Sequence, residues 1–204
     1  MRVSATCRPS RDRRNPANNR LMLAITKLGH PALRAKAEPI EKVDAALRRL
    51  AEDMLETMYT HDGCGLAANQ VGVTRRIIVL DTREAKKRPS VLRIGGKSRP
   101  VHKHMPMVLL NPEIELSGKP EFGSEACLSI PGIHGEVKRP PVTRVRGTDL
   151  DGNTVEFEAE GLLSRALQHE VDHLDGILFI DRLDAAERKR VADELHQMAG
   201  GMVG

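Results

Sequence analysis

The chain has 204 residues, of which 29% are charged and 40% hydrophobic, and its formal net charge is +4. This length suits one globular domain, and the absence of any apolar stretch near the roughly 20 residues of a bilayer span argues against a membrane protein. Three cysteines, an odd number, with no secretory apolar region argue against a disulfide-stapled secreted domain. We therefore expect a reducing compartment.

The first 21 residues differ from the rest of the chain. They contain six arginines, one aspartate and no hydrophobic periodicity. We predict a disordered basic leader over residues 1–21 and one folded domain over residues 22–204. An arginine-rich organellar targeting segment and a misassigned start upstream of Met22 are the two alternatives.

Hydrophobic periodicity predicts a mixed order of helices and strands. Apolar residues recur at helical spacing over residues 43–58 and again over residues 161–174. Strands are predicted at residues 77–80, 107–110, 142–145 and 154–157. Asp184 can cap a last helix, with Glu187 completing a capping box, and this helix ends at Gly200 and Gly201. The prediction is an α+β fold with largely antiparallel sheets around a central helix, flanked by an N-terminal and a C-terminal helix.

The central helix contains an HExxH sequence formed by His169, Glu170 and His173. Two imidazoles four residues apart lie on one helix face and can share a divalent metal, while the glutamate can take a proton from water. Histidines on a helix are more often surface or core residues, but the apolar spacing around them predicts a buried helix. A buried histidine pair on such a helix favours the metal site.

Two sequence families with this pattern supply their third ligand downstream. The longer metzincin pattern needs a histidine where this chain has Phe179, so that hypothesis fails. A thermolysin-like enzyme would use a glutamate, but Glu187 and Glu194 lie in a charged amphipathic segment and favour a solvated role. The third ligand is therefore expected upstream.

Two upstream runs are candidates for the rest of the site. Cys127 lies in a short strand-like run, residues 125–132, closed by a Pro-Gly turn, where a lone thiol is ordinarily a small buried hydrophobe. Residues 63–72 contain two closely spaced glycines, which let backbone approach a ligand, followed by Gln70. Neither run by itself is strong evidence for a functional site.

Together and in this order, the three runs resemble the motifs of the peptide deformylase family. Residues 63–70 match its first motif, residues 125–129 its second with one change, and residues 168–174 its third, and the resemblance extends from Met22 to the helix after Leu183. The resemblance implies a hydrolase that removes the formyl group from N-formylmethionyl peptides of new bacterial or organellar proteins. We therefore expect a bacterial cytoplasmic location, with an organelle as the alternative. The resemblance also implies Cys127, His169 and His173 as metal ligands, iron(II) as the metal, and zinc, nickel or cobalt as possible replacements.

The same resemblance implies the remaining catalytic roles. The amide of Gln70 and the backbone N–H of Leu128 would stabilise the oxyanion, and Glu170 would act as general acid and base. Gly65 and its small neighbours suit an extended peptide bound along exposed backbone. Leu162 and Ala166, on the helix face of His169, and Cys64 across the cleft are candidates for the methionine pocket, with plain core packing as an equal alternative.

Ala126 departs from the family, which usually has glycine at this position. If the position needs a positive φ angle or a tight backbone approach, the methyl group would strain it by about 1 kcal/mol or more.

Two other functions and one further partner stay open. A metallopeptidase would share HExxH without a cysteine ligand, and a metal-free basic module would bind RNA in a salt-dependent way. The basic segment at residues 86–106, predicted as an exposed loop or hairpin, and residues 188–190 could touch ribosomal RNA phosphates. The sequence leaves the oligomeric state open.

Overall fold

A computed structural model describes residues 21–85 and 87–200, without the side chains of residues 198–200. The predicted leader therefore lies outside the described residues, except for Leu21, whose N–H donates to Asp53 Oδ1 at 2.8 Å. The described part contains three α-helices: α1 (Ala45–Thr60), α2 (Leu162–Leu174) and α3 (Ala185–Gly200). None of its helices is long and apolar enough to span a membrane.

Nine strands form two antiparallel sheets within the described residues. They are β1 (Gly65–Ala67), β2 (Ile77–Leu80), β3 (Ser90–Ile94), β4 (Lys97–Arg99), β5 (Met107–Ser117), β6 (Glu121–Cys127), β7 (Ile130–Arg139), β8 (Val142–Thr148) and β9 (Thr154–Gly161). Seven of them form one sheet in the order β1-β2-β5-β8-β9-β3-β4, and β6 and β7 form a separate hairpin. The α+β prediction is confirmed, and the four predicted strands are β2 and parts of β5, β8 and β9.

Strand β2 lies between two helices, which explains its uninterrupted apolar sequence. Ile78 and Leu80 belong to the same buried cluster as the apolar face of α2. Ile77 and Val79, which point to the opposite side, pack in the cluster that contains α1. A strand covered on both faces needs apolar residues at every position, and the central helix is thereby enclosed on one side of the large sheet.

The hairpin of β6 and β7 packs against the C-terminal part of the chain. Val137 and Ile133 share a buried cluster with Phe179, Leu183 and Val191 of the following segment and α3. This packing holds the end of β6 beside the central helix. Cys127, the last residue of β6, belongs to the same cluster.

The predicted Pro-Gly turn after Cys127 is wrong. Cys127 pairs with Ile130 across a turn at Leu128 and Ser129, and the next pair along the ladder is Ala126 with His134. Residues 131–133 therefore bulge out of the ladder. A bulge tolerates a proline, which has no N–H to donate, and a glycine at φ +82°.

The structure confirms one half of the capping box predicted at the start of α3. Asp184 caps α3 by accepting from Glu187 N–H at 2.9 Å. The reciprocal half of the predicted capping box is wrong, because the Glu187 carboxylate accepts instead from Glu136 N–H and from Arg190. The basic segment forms the β3–β4 hairpin, so the hairpin alternative is confirmed for its described residues.

Candidate metal centre

Two elements bring together three side chains that could hold a metal ion. His169 and His173 lie one turn apart on α2, with ring centroids 4.9 Å apart. Cys127 ends β6, and its Sγ lies 3.2 Å from His173 Nε2. One ligand atom from each of these residues lies within 4.8 Å of the other two, and all three residues are buried.

This donor set fits a divalent cation. A tetrahedral site with one sulfur and two imidazole nitrogens separates its ligand atoms by about 3.5 Å. The Sγ to Nε2 distance of 3.2 Å is close to that value. Thiolate and imidazole suit iron, zinc, nickel or cobalt better than magnesium or calcium. Three protein ligands also leave a fourth position for water or substrate, as in catalytic sites.

The downstream residues considered as third ligands have other contacts. Phe179 is buried, and its ring stacks on that of His169 at 6.2 Å between centroids. The Glu187 carboxylate is bound to Glu136 N–H and to Arg190. Glu194 is exposed on α3. The third donor beside the two histidines is therefore upstream, at Cys127.

Glu125 orients one of the two histidines. Its Oε2 lies 2.9 Å from His169 Nδ1, which leaves Nε2 of that ring to face the centre. Its Oε1 accepts from Arg139 at 2.6 Å and from Arg165 at 2.8 Å. Metal-binding histidines commonly have such a carboxylate partner, which fixes the ring and its tautomer.

Buried Arg139 links Glu125 to a second carboxylate, that of Asp172 on α2. Arg139 donates to Glu125 and also to Asp172 Oδ2, at 2.8 Å, and Arg182 completes the pairing of Asp172. The sequence motifs did not reveal the roles of Glu125 and Arg139. Glu125 precedes Cys127 by two residues on a strand and so points to the same face, a signal that could have identified it. No local pattern could have identified Arg139.

The charges of these groups depend on one another. Burial by itself raises the pKa of the Cys127 thiol, but the charge on His173 and the contact with His169 hold that pKa well below its usual range. Burial disfavours the charged form of His169, yet Cys127 and Glu125 raise its pKa well above the usual value. Burial also opposes the Glu125 carboxylate, but His169 and Arg139 lower its pKa. Since thiolate is the form that ligates metals, the centre favours the required state of Cys127.

Glu170, between the two histidines on α2, has a carboxylate oxygen without a hydrogen-bond partner among the described residues. Its Oε2 is buried and accepts no hydrogen bond from any residue that the structure describes. Burial raises the pKa of Glu170 to about 7, while His169 and His173 act in the opposite direction. Gly65 provides the space for this carboxylate, because a Cβ at that position would lie 2.9 Å from Glu170 Cδ. A buried carboxyl group with a pKa near neutrality can both accept and release a proton.

The two predicted oxyanion donors lie on either side of Cys127. Gln70 is fixed through its Oε1, which accepts from Ala67 N–H at 2.8 Å, and its Nε2 lies 3.4 Å from Cys127 Sγ. Leu128 follows Cys127 in the hairpin turn, and its carbonyl accepts from Lys27 Nζ at 2.9 Å. The Gln70 side chain is therefore fixed by a local hydrogen bond, and the turn at Leu128 by a bond from Lys27, which is 101 residues away in the chain.

A cleft of about 460 Å³ opens above the centre. It is lined by Glu170 and His169 and by the four residues predicted to bind substrate, which are Cys64, Gly65, Leu162 and Ala166. Ala126 also lines the cleft, is exposed, and does not have a positive φ angle. The strain considered for Ala126 is thus absent, because a strand position in open space accepts a methyl group.

Comparison with known proteins identifies the family. The family model for polypeptide deformylase matches residues 22–189. The peptide deformylase of Methylacidiphilum infernorum is 43% identical over 181 residues, which are 89% of this chain and 95% of that protein. Two solved deformylases share the fold. The Synechococcus elongatus enzyme in complex with actinonin has a TM-score of 0.72 and 36% identity, covering 85% of this chain and 88% of that one. The Thermotoga maritima enzyme has a TM-score of 0.68 and 39% identity, covering 80% of this chain and 99% of that one. The chain therefore belongs to the polypeptide deformylase family, metal-dependent hydrolases that remove the N-formyl group from nascent polypeptides.

Proposed function

We propose that Cys127, His169 and His173 hold the catalytic metal and that Glu170, Gln70 and Leu128 carry out deformylation around it. The observation that carries this assignment is the buried Glu170 carboxylate with an unpartnered oxygen, which lines the cleft together with His169 of the same helix. When bound, a divalent cation polarises water and the formyl oxygen as a Lewis acid.

Glu170, Gln70 and Leu128 have different roles in the reaction. Glu170 accepts the proton of the attacking water and delivers it to the departing amine nitrogen. Negative charge develops on the formyl oxygen as its carbon becomes tetrahedral. The Gln70 amide and the Leu128 N–H donate hydrogen bonds to that oxygen, and each donor of this kind is worth roughly a hundredfold or more in rate.

We assign iron(II) as the native metal, with zinc, nickel or cobalt able to replace it. The assignment rests on the soft Cys-His-His donor set and on the family resemblance. Metal analysis of protein purified without oxygen tests it. Zinc in place of iron under those conditions would contradict the assignment of iron.

The peptide is proposed to lie along the backbone at Gly65, with its first side chain between Leu162, Ala166 and Cys64. These residues line one cleft together with Glu170, which supports the placement. An extended peptide bound through its backbone leaves most later side chains free, which suits an enzyme that must process many different nascent chains.

Formate release from formyl-Met-Ala-Ser, measured beside metal content, tests the assigned roles. We expect Cys127→Ala to lose metal and activity, and Glu170→Ala to keep metal while losing most turnover. Cleavage of a peptide bond without formate release would favour the metallopeptidase alternative. An absence of metal, with salt-dependent RNA binding that is indifferent to Glu170→Ala, would favour the binding module.

We also propose a cytoplasmic location in a bacterium and contact with the ribosome through the β3–β4 hairpin and its flanks. Lys87, Lys97 and Lys103 are exposed there, whereas Arg190 on α3 is bound to Glu187 and to His134 O. Lys189 is exposed on α3, so the hairpin and its flanks carry three exposed lysines against one there. Pelleting with ribosomes at rising salt should be weakened by charge-neutral changes at these lysines and left unchanged by Lys119→Gln.

A further inference from the structure

The catalytic cleft adjoins a second cavity beside α2. This cavity, of about 450 Å³, lies between the start of α2, the start of β6 and the end of β7. Arg88, Ser124, Leu162 and Arg165 line both cavities. Leu162 is a proposed wall of the pocket for the first side chain, so the second cavity begins where that pocket ends.

Two arginine side chains lie between the cavities, and they differ in how firmly they are held. Arg165 crosses Gly123, where an added Cβ would lie 2.7 Å from its Cζ. Its guanidinium donates to the carbonyls of Glu121 and Val137 and to the Glu125 carboxylate. It therefore holds β6 and β7 to α2 and cannot be removed without disturbing the metal centre.

Arg88 is the less constrained member of this pair. It is exposed, and Nη1 donates to the carbonyl of Ser124 at 3.2 Å. Arg88 and Ser124 each line both cavities, so this bond lies at the boundary between them. The lining beyond it includes apolar surface from Phe122, Pro140 and Pro141.

We propose that Arg88 is a specificity-determining residue that closes the far end of the first side-chain pocket and limits the length of side chain it accepts. The inference rests on the proposed function, because it assumes that the first side chain enters between Leu162 and Ala166. A longer side chain meets the guanidinium, which must leave Ser124 to admit it. Removal of the Arg88 side chain widens the opening between the two cavities beside Arg165 and exposes apolar surface to a longer chain.

Two formylated tripeptides test this role in the metal-loaded enzyme. One begins with norleucine, which has the length of methionine, and the other with 2-aminooctanoic acid, which is two carbons longer. We expect Arg88→Ala to raise the kcat/KM ratio of the long to the short peptide about tenfold, the value expected for burying two more methylene groups. Arg88→Met, which keeps much of the length without the hydrogen bond, should give a smaller rise.

Arg146→Ala is the matched control, since Arg146 is an exposed arginine on β8 that lines neither cavity. The inference would be overturned if Arg88→Ala had the same kcat/KM ratio of long to short peptide as the parent. If the norleucine peptide were still cleaved, the proposed function would stay intact. An equal rise in Arg146→Ala would also overturn the inference. Failure of the metal-loaded parent to release formate from either peptide would overturn the proposed function and the inference with it.

Discussion

Replacing Arg139 with methionine removes the cation that joins the hairpin to the metal helix. Arg139 is 5% exposed and bonds two buried carboxylates, those of Glu125 and Asp172. Removing one partner of a buried ion pair destabilises a protein by about 3–5 kcal/mol, because the other charge stays buried and uncompensated. Here Arg165 and Arg182 still contact the two carboxylates, so we expect the lower end, about 3 kcal/mol.

That loss should lower Tm by about 6–12 °C for a domain of this size. Urea unfolding followed by circular dichroism measures the free energy directly and suits a chain without tryptophan. Metal affinity, from competition with a chelator, should fall about 10–100-fold, because Glu125 orients His169.

The control is Arg144→Met. Arg144 is exposed, and its nearest carboxylate oxygens, on Glu115 and Glu158, lie 3.7 and 3.9 Å away. Surface pairs of this kind contribute at most about 1 kcal/mol. Equal stability losses in the two variants would show that the buried network does not join the hairpin to the helix.

Three further substitutions follow from single positions. Gly65→Ala should reduce kcat at least tenfold with metal retained, because its Cβ displaces the Glu170 carboxylate; a parent-like rate would contradict this. Ala126→Gly should lower the free energy of unfolding by about 0.5–1 kcal/mol, since glycine weakens a strand interior, and a gain in stability would indicate strain that the backbone does not have. For Asp81, burial raises the pKa, but bonds from Arg83 and Tyr59 lower it below 3.8. Its contribution to stability is therefore present above about pH 4 and lost as the pH falls through the lower folded value. Urea midpoints of the parent and Asp81→Asn should converge on acidification, and a constant difference down to pH 2 would contradict this.

Local chemistry alone predicted His169, His173 and Glu170, and the other proposed site residues followed only from the family resemblance. The four-residue spacing of His169 and His173 places both rings on one helix face wherever that helix lies, because the backbone hydrogen bonds fix its period. The apolar run of β2 likewise indicated a strand, since two covered faces require it. The three ordered motifs then connected these residues to a family.

Contacts between distant segments of the chain depend on the tertiary packing. Cys127 and His173 are 46 residues apart in the chain. They meet because the bulged hairpin of β6 and β7 packs Cys127, the last residue of β6, against α2. The same packing brings Arg139 to Glu125 and Asp172, and it brings Arg88 to the carbonyl of Ser124. Helical and strand periodicities follow from the chain's own backbone geometry, whereas these contacts depend on how separate elements pack, which no short stretch of sequence encodes.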